Sequence, residues 1–256
     1  MSNETITLIE QRVSLRRYAP EPIRADHLKA IMRSTMRAPT AGSMMLYSVI
    51  QVEDPDNKDR LAETCGHAFV ASAPLVLLFL ADMQRLYDFY QACGVPEYCQ
   101  KHGITFQTPQ LSNLMMSCCD ALIAAQTSVV AAESLGIGSC YIGDIMGYCE
   151  THQEIFGLPK WTFPIALLCY GYYPHDANRE LSTRFDQRFI WFQDTYQRLS
   201  RQDFEQMYAG IIDKFSEHLV RKNLNLAELT YQSFTRSRSA AEEARSVAIL
   251  LDRWLG

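Results

Sequence analysis

Apolar residues recur along this chain with two periods, and each change of period marks an element. Between residues 26 and 37, Leu28, Ile31, Met32 and Met36 fall on one helical face; Asp26 can cap the start and Pro39 ends the run. Residues 5–13 predict another amphipathic helix, and residues 46–52, rich in branched and aromatic side chains, predict a strand. Asp54-Pro55-Asp56 opens a helix reaching about Cys65. Residues 74–80 are continuously apolar, as in a central strand covered on both faces. From 110 to 135, apolar residues stand at 111, 114, 115, 118, 122, 125, 129 and 132, with small residues on the other faces. Such a helix is buried nearly all round, in the domain core or at a subunit interface, and Gly136 stops it. Residues 163–170 form a second apolar strand, closed by Gly171 and Pro174. Helical patterns alternate with polar stretches from residue 203, and a last helix covers about 240–254.

Helices and a few strands without strict alternation predict an α+β sandwich. No repeat, low-complexity run or clear linker interrupts residues 1–256, so a single domain is expected, with residues from about 203 onward forming a C-terminal helical arm. No Gly-x-Gly-x-x-Gly follows a strand and no Walker loop is present; Gly136-Ile137-Gly138 follows a helix instead.

Composition narrows the function classes. A net charge of −5 gives no long-range attraction to nucleic acid or an anionic membrane. Met1-Ser2-Asn3-Glu4-Thr5 lacks the basic and apolar regions of a secretory signal, and no uninterrupted apolar stretch reaches about 18 residues. A cytoplasmic location follows as the expectation. None of the eight cysteines forms a Cys-x-x-Cys pair, so buried free thiols are expected and no metal site.

The candidate chemistry begins at Arg12-Val13-Ser14-Leu15-Arg16-Arg17-Tyr18, followed by Pro20 and Pro22. In an extended ribbon Arg12, Ser14 and Arg16 project from one side, and two guanidinium forks with a hydroxyl suit a phosphate monoester. Arg17 alternates to the other side, as a solvated or ion-paired residue. Downstream lie the turn-rich Ala38-Pro39-Thr40-Ala41-Gly42-Ser43 and the segment from Ser134 to Gly143.

Taken together, these segments resemble the FMN-dependent nitroreductase family, in its larger, NADPH-preferring nitroreductase and flavin-reductase branch. The resemblance runs from about Ile9 to about Tyr231 and is weakest over 86–108 and the last two dozen residues. It implies a central, mainly antiparallel sheet flanked by helices, a homodimer embraced by the C-terminal arm, and FMN at the dimer interface. NADPH or NADH is then the electron donor, and nitroaromatics, quinones or free flavin are the acceptors. No catalytic side chain is implied, because the flavin N5 carries the chemistry. Arg12, Val13, Ser14 and Arg16 correspond to phosphate and ribityl contacts. Pro39, Thr40, Ala41 and Ser43 correspond to a segment lining the flavin ring of the partner subunit, with Thr40 offering a hydroxyl. Ser43, Met45 and Tyr47 stand where asparagine, glutamine and tryptophan are usual. His67 falls where a glutamine or asparagine often bonds the pyrimidine edge. The backbone of Tyr141, Ile142 and Gly143 matches the segment passing N5, and Asp144 replaces a common glycine. Arg184 matches a second phosphate-binding arginine, while Ser182 replaces its partner lysine; Arg179 or Arg188 is a candidate to compensate. Arg221 corresponds to a contact with the 2′-phosphate of NADPH, and Leu226 falls where a second arginine would help. Two alternatives stay open: a dehalogenase or flavin-fragmenting enzyme whose lid spans 86–108, and a flavin-binding store or sensor without turnover.

Overall fold

A computed structural model describes residues 3–256. Helix α1 (Glu4–Gln11) starts at Asn3, whose side chain accepts from Thr5 N–H, and ends two residues earlier than its pattern predicts: Arg12 is already extended, with ψ 133°. After α2 (Ala25–Thr35) come β1 (Tyr47–Gln51), α3 (Pro55–Thr64), β2 (Leu75–Asp82), α4 (Gln84–Ala92), α5 (Val95–Lys101) and α6 (Leu111–Ser134). Then follow β3 (Ile137–Ile142), α7 (Cys149–Phe156) and β4 (Thr162–Tyr172).

The four strands form one antiparallel sheet in the order β1-β2-β4-β3. Every residue of β2 is buried, as its unbroken apolar run requires. On one face of the sheet, Leu77, Phe79, Leu168 and Tyr170 pack with Ile31 of α2 and with Ala121, Ala124, Ala125 and Val129 of α6. The alanines let α6 approach closely, and Ser128 bonds Tyr170 Oη at 2.6 Å. On the other face, Val76, Leu78, Leu167 and Cys169 pack with Leu61 of α3, Ile145 and Leu158. The expected α+β arrangement, a sheet between helices, is therefore the fold of this chain.

Four elements differ from the sequence reading. Residues 137–142, just past the helix stop at Gly136, form strand β3, for which the sequence pattern predicts no strand. The segment read as a lid, 86–108, holds most of α4 and all of α5, with the Tyr87 ring 4.0 Å from the Trp161 ring and 6.1 Å from that of Phe106. Helix α6 is buried on one face only; Leu111, Met115, Met116, Leu122 and Ile123 are exposed on the isolated chain. By length and composition α6 could cross a membrane, yet its packed face carries buried Ser117, Asp120, Ser128 and Glu133.

The chain divides into two compact units. The first comprises residues up to Arg179 together with Glu242–Gly256; the second is Glu180–Ala241. The second unit contains α8 (Arg201–Lys222) and α9 (Leu226–Thr230), each opened by a reciprocal cap, Ser200 with Asp203 and Asn225 with Glu228. The last helix, α10 (Arg238–Leu255), belongs from Glu242 onward with the first unit. There Trp254 is buried and its backbone oxygen accepts from Trp161 Nε1 at 3.1 Å, while Arg253 donates to Leu158 O at 2.8 Å. Arg245 grips Glu150 through two bonds of 2.7 and 2.9 Å and also bonds Glu242, which holds both carboxyls down at about 2.

Candidate functional site

The N-terminal ribbon is pinned to β3. Leu15 N–H donates to Ser139 O at 2.9 Å, and Ser14 and Ser139 form an isolated bridge. The seat is made of glycines: Gly138 and Gly171 pair across β3 and β4, and a Cβ at Gly138 would lie 2.7 Å from both Leu15 and the Tyr173 ring. A Cβ at Gly171 would meet the Tyr18 ring in the same way. With Leu15 buried inward, strand alternation turns Arg12, Ser14 and Arg16 to the other side. Among the described residues neither Arg12 nor Arg16 has an acidic partner, whereas Arg17 pairs with Asp176 at 2.8 Å, as its alternation predicts. Burial raises the Cys140 thiol, and the charges of Arg16 and Arg12 oppose that rise. Two cations without an acidic partner among the described residues, and a hydroxyl, on a fixed ribbon are the donor set a phosphate monoester needs.

The loop after α2 is organised by a residue sequence reasoning missed. Asp120, buried on α6, accepts from Ala41 N–H at 3.0 Å, from Leu46 N–H at 3.1 Å and from the Thr40 hydroxyl. Thr40 Oγ1 also accepts from Met45 N–H at 2.8 Å, so this hydroxyl is engaged inside the loop rather than offered outward. Between these anchors Gly42, Ser43 and Met45 all adopt positive φ, at 56°, 58° and 52°. Arg85 fixes the far end, donating to Tyr47 O at 3.1 Å and to Met45 O. The signal for Asp120 was its position: a lone carboxylate inside an apolar helix must find donors or pay desolvation.

At the end of β3, Ile142 is buried, Tyr141 is partly exposed, and Gly143 leads into a single turn, Asp144–Met146, whose start no side chain caps. The two departures nearest this turn engage each other: His67 Nε2 is 3.3 Å from Asp144 Oδ2, and Phe69 stacks on the His67 ring at 5.3 Å. Glu243 of α10 joins them. Burial first, and then the charge of Asp144, raises its carboxyl; Cys65 is pushed up to about 12 by burial and the same charge. Beneath the turn lies His152, fully buried, with Nδ1 2.9 Å from Ile145 O and Nε2 2.8 Å from Thr64 Oγ1. Burial holds its pKa below the ordinary histidine range.

Arg179 is engaged by buried Glu133, and Arg188 donates to Gln206 at 2.8 Å within the second unit. Also in the second unit, Arg184 donates to the carbonyls of Ser182 and Thr183 at 3.3 Å, and Arg221, at the end of α8, bonds His218 at 3.1 Å. A cavity of about 310 Å³ lies under residues 86–110, lined by Leu86, Tyr87, Tyr90, Gln107, Pro109 and Met116.

Comparison with known proteins places the chain in a family. A profile described as "Nitroreductase family" matches residues 9–172. The FMN reductase [NAD(P)H] of Bacillus subtilis (strain 168) is 29% identical over 229 residues, covering 86% of this chain and 84% of that protein. The NADPH-flavin oxidoreductase of Vibrio harveyi is 27% identical, covering 79% of each. The solved structure of the hypothetical oxidoreductase YcnD from Bacillus subtilis superposes with a TM-score of 0.77 at 26% identity, covering 97% of this chain and 98% of that one. The chain belongs to the nitroreductase family.

Proposed function

We propose that this chain is an FMN-dependent NAD(P)H oxidoreductase, working as a homodimer on small electron-poor acceptors such as nitroaromatics, quinones or free flavin. The observation that carries the reading is the glycine-seated ribbon whose Arg12 and Arg16 lack acidic partners among the described residues. Family membership and relatives named as FMN and NADPH-flavin reductases support it.

FMN bound here would supply the redox chemistry, hydride transfer between nicotinamide and acceptor. The chain's own part is binding and orientation. Arg12, Ser14 and Arg16, with the Val13 backbone between them, hold the 5′-phosphate. The loop of Pro39, Thr40, Ala41 and Ser43 lines the ring through its backbone, because the Thr40 hydroxyl is taken by Asp120. The backbone of Tyr141, Ile142 and Gly143 faces the reactive edge, where N–H groups stabilise negative charge without an acid–base side chain. His67 and Asp144 act there as a coupled pair. By resemblance, Ser182 and Arg184 add to phosphate recognition and Arg221 to that of the nicotinamide cofactor.

Purified protein should be yellow, and its visible spectrum should bleach on anaerobic addition of NADPH or NADH and recover with a quinone. A protein that holds FMN but never turns over is a store or sensor, and the enzyme reading then fails.

A further inference from the structure

Next to the ribbon lies a cluster of Glu133, Tyr173 and Arg179. Glu133, on the last turn of α6, has a side chain only 3% exposed. It accepts from Tyr173 Oη at 3.0 and 3.1 Å and from Arg179. The Arg179 guanidinium lies 4.4 Å from the Tyr173 ring centroid, and its Nη2 also donates to Gln11 O at 3.3 Å. Gln11 closes α1, where the last carbonyls have no partner within the helix, and the next residue is Arg12. The same Tyr173 ring lies over Gly138, against which Leu15 packs. One buried carboxylate thus anchors the ribbon twice, at the carbonyl just before Arg12 and at the ring beside Leu15.

We propose that Glu133 is a positioning residue for the phosphate cradle, acting through Arg179 and Tyr173 without touching the ligand. The inference rests on the FMN reading above and deepens it. Charge neutralisation is what assigns Arg179 this part. Its cation is compensated by Glu133, so it supplies geometry to the ribbon rather than a third charge to the phosphate, and it does not stand in for the lysine replaced by Ser182. Burial and the Glu133 charge push the Tyr173 phenol up to about 12, while Arg179 and Arg12 oppose them, in keeping with the closeness of Arg12 to this cluster. A guanidinium that must meet phosphate oxygens bidentately is sensitive to small displacements, and a loosened Gln11 carbonyl would free it to swing.

The test is equilibrium titration of the flavin-free protein with FMN and with riboflavin, which lacks the phosphate. Glu133→Ala and Arg179→Ala should each weaken FMN about tenfold and leave riboflavin unchanged. The double mutant should be no weaker than either single mutant within about twofold, since the two residues act as one unit. Glu133→Gln keeps an acceptor for Arg179 and should restore FMN binding. Tyr173→Phe removes only the hydroxyl and reports on the second anchor if Glu133→Ala does not fold. Equal loss of FMN and riboflavin, unchanged FMN affinity in Arg179→Ala, or additive losses would each overturn the proposal. The parent reading fails separately: if Arg12→Ala/Arg16→Ala keeps its FMN, the ribbon is not the phosphate site at all. If that variant loses FMN while Glu133→Ala and Arg179→Ala keep it, only the positioning role is wrong.

Discussion

At the scale of single residues, strain and pairing decide what each departure from the family pattern does. Ser43 holds φ at 58°, a region where asparagine is tolerated better than other side chains. Ser43 is exposed, so a larger amide meets no packing cost. Ser43→Asn should stabilise the protein by about 0.5–1 kcal/mol in thermal or denaturant unfolding. An unchanged or lowered midpoint would show that the loop relaxes around serine. Glu243 is the second case. Burial and Asp144 raise its carboxyl in the folded state, so the charged form is disfavoured there and ionisation costs stability above the unfolded pKa of about 4.3. Glu243→Gln should therefore raise the unfolding midpoint at pH 7–8, with the gain vanishing below about pH 4.5. The same gain at pH 4 would mean that packing, not charge, is responsible.

At the scale of elements, buried polar groups join pieces that no periodicity connects. Asp120 ties α6 to the strained loop, and Asp120→Ala would leave the N–H groups of Ala41 and Leu46 unpaired. A loss of about 3 kcal/mol is expected, with flavin release at lower denaturant than global unfolding if the loop opens first. His152 ties α7 to the Asp144–Met146 turn and to α3. Its folded pKa lies below the unfolded value of about 6.5, so below that pH the unfolded chain binds a proton that the native one resists. Stability should fall as pH drops from about 6.5, and His152→Gln should flatten that slope; a slope identical to wild type would place the acid sensitivity elsewhere. These links mark the limit of what sequence makes legible. The apolar runs of β2 and β4 and the alternation of Arg12, Ser14 and Arg16 announce themselves, because each follows a local period. The face expected of α2 is only half right: Leu28 and Ile31 pack on the core, whereas Met32 and Met36 are 53% and 56% exposed, and Arg24 rather than Asp26 stands at the N-cap. Strand β3 does not announce itself: with Gly136 and Gly138 near its start, its period is hidden, and only pairing with β4 makes it a strand. Likewise, that Gly138 and Gly171 form one seat, or that His67 meets Asp144, depends on neighbours far apart in sequence.

At the scale of the molecule, the isolated chain leaves too much apolar surface uncovered. The outer face of α6 shows Leu111, Met115, Met116, Leu122 and Ile123, between 41% and 66% exposed. The second unit shows Trp191, Tyr196, Val220 and Phe234, each 80% exposed or more. Monomers rarely expose contiguous apolar patches beyond a few hundred Å², and a closed twofold dimer is the usual way to cover one. The α6 face suits this use because the buried side already holds the charged residues, Asp120 and Glu133, leaving the outer side to be covered by a second copy. An obligate homodimer burying more than about 2,000 Å² in total is the expectation. Light scattering on flavin-loaded protein at micromolar concentration should give twice the chain mass. Met115→Glu with Ile123→Glu should yield monomers, because each buries a carboxylate with no partner. If flavin lies at that interface, the monomeric variant should also lose FMN, although every phosphate-ribbon residue is intact. A monomeric wild type that keeps its flavin would sink the dimer, and a monomeric variant that keeps it would move the flavin away from the interface.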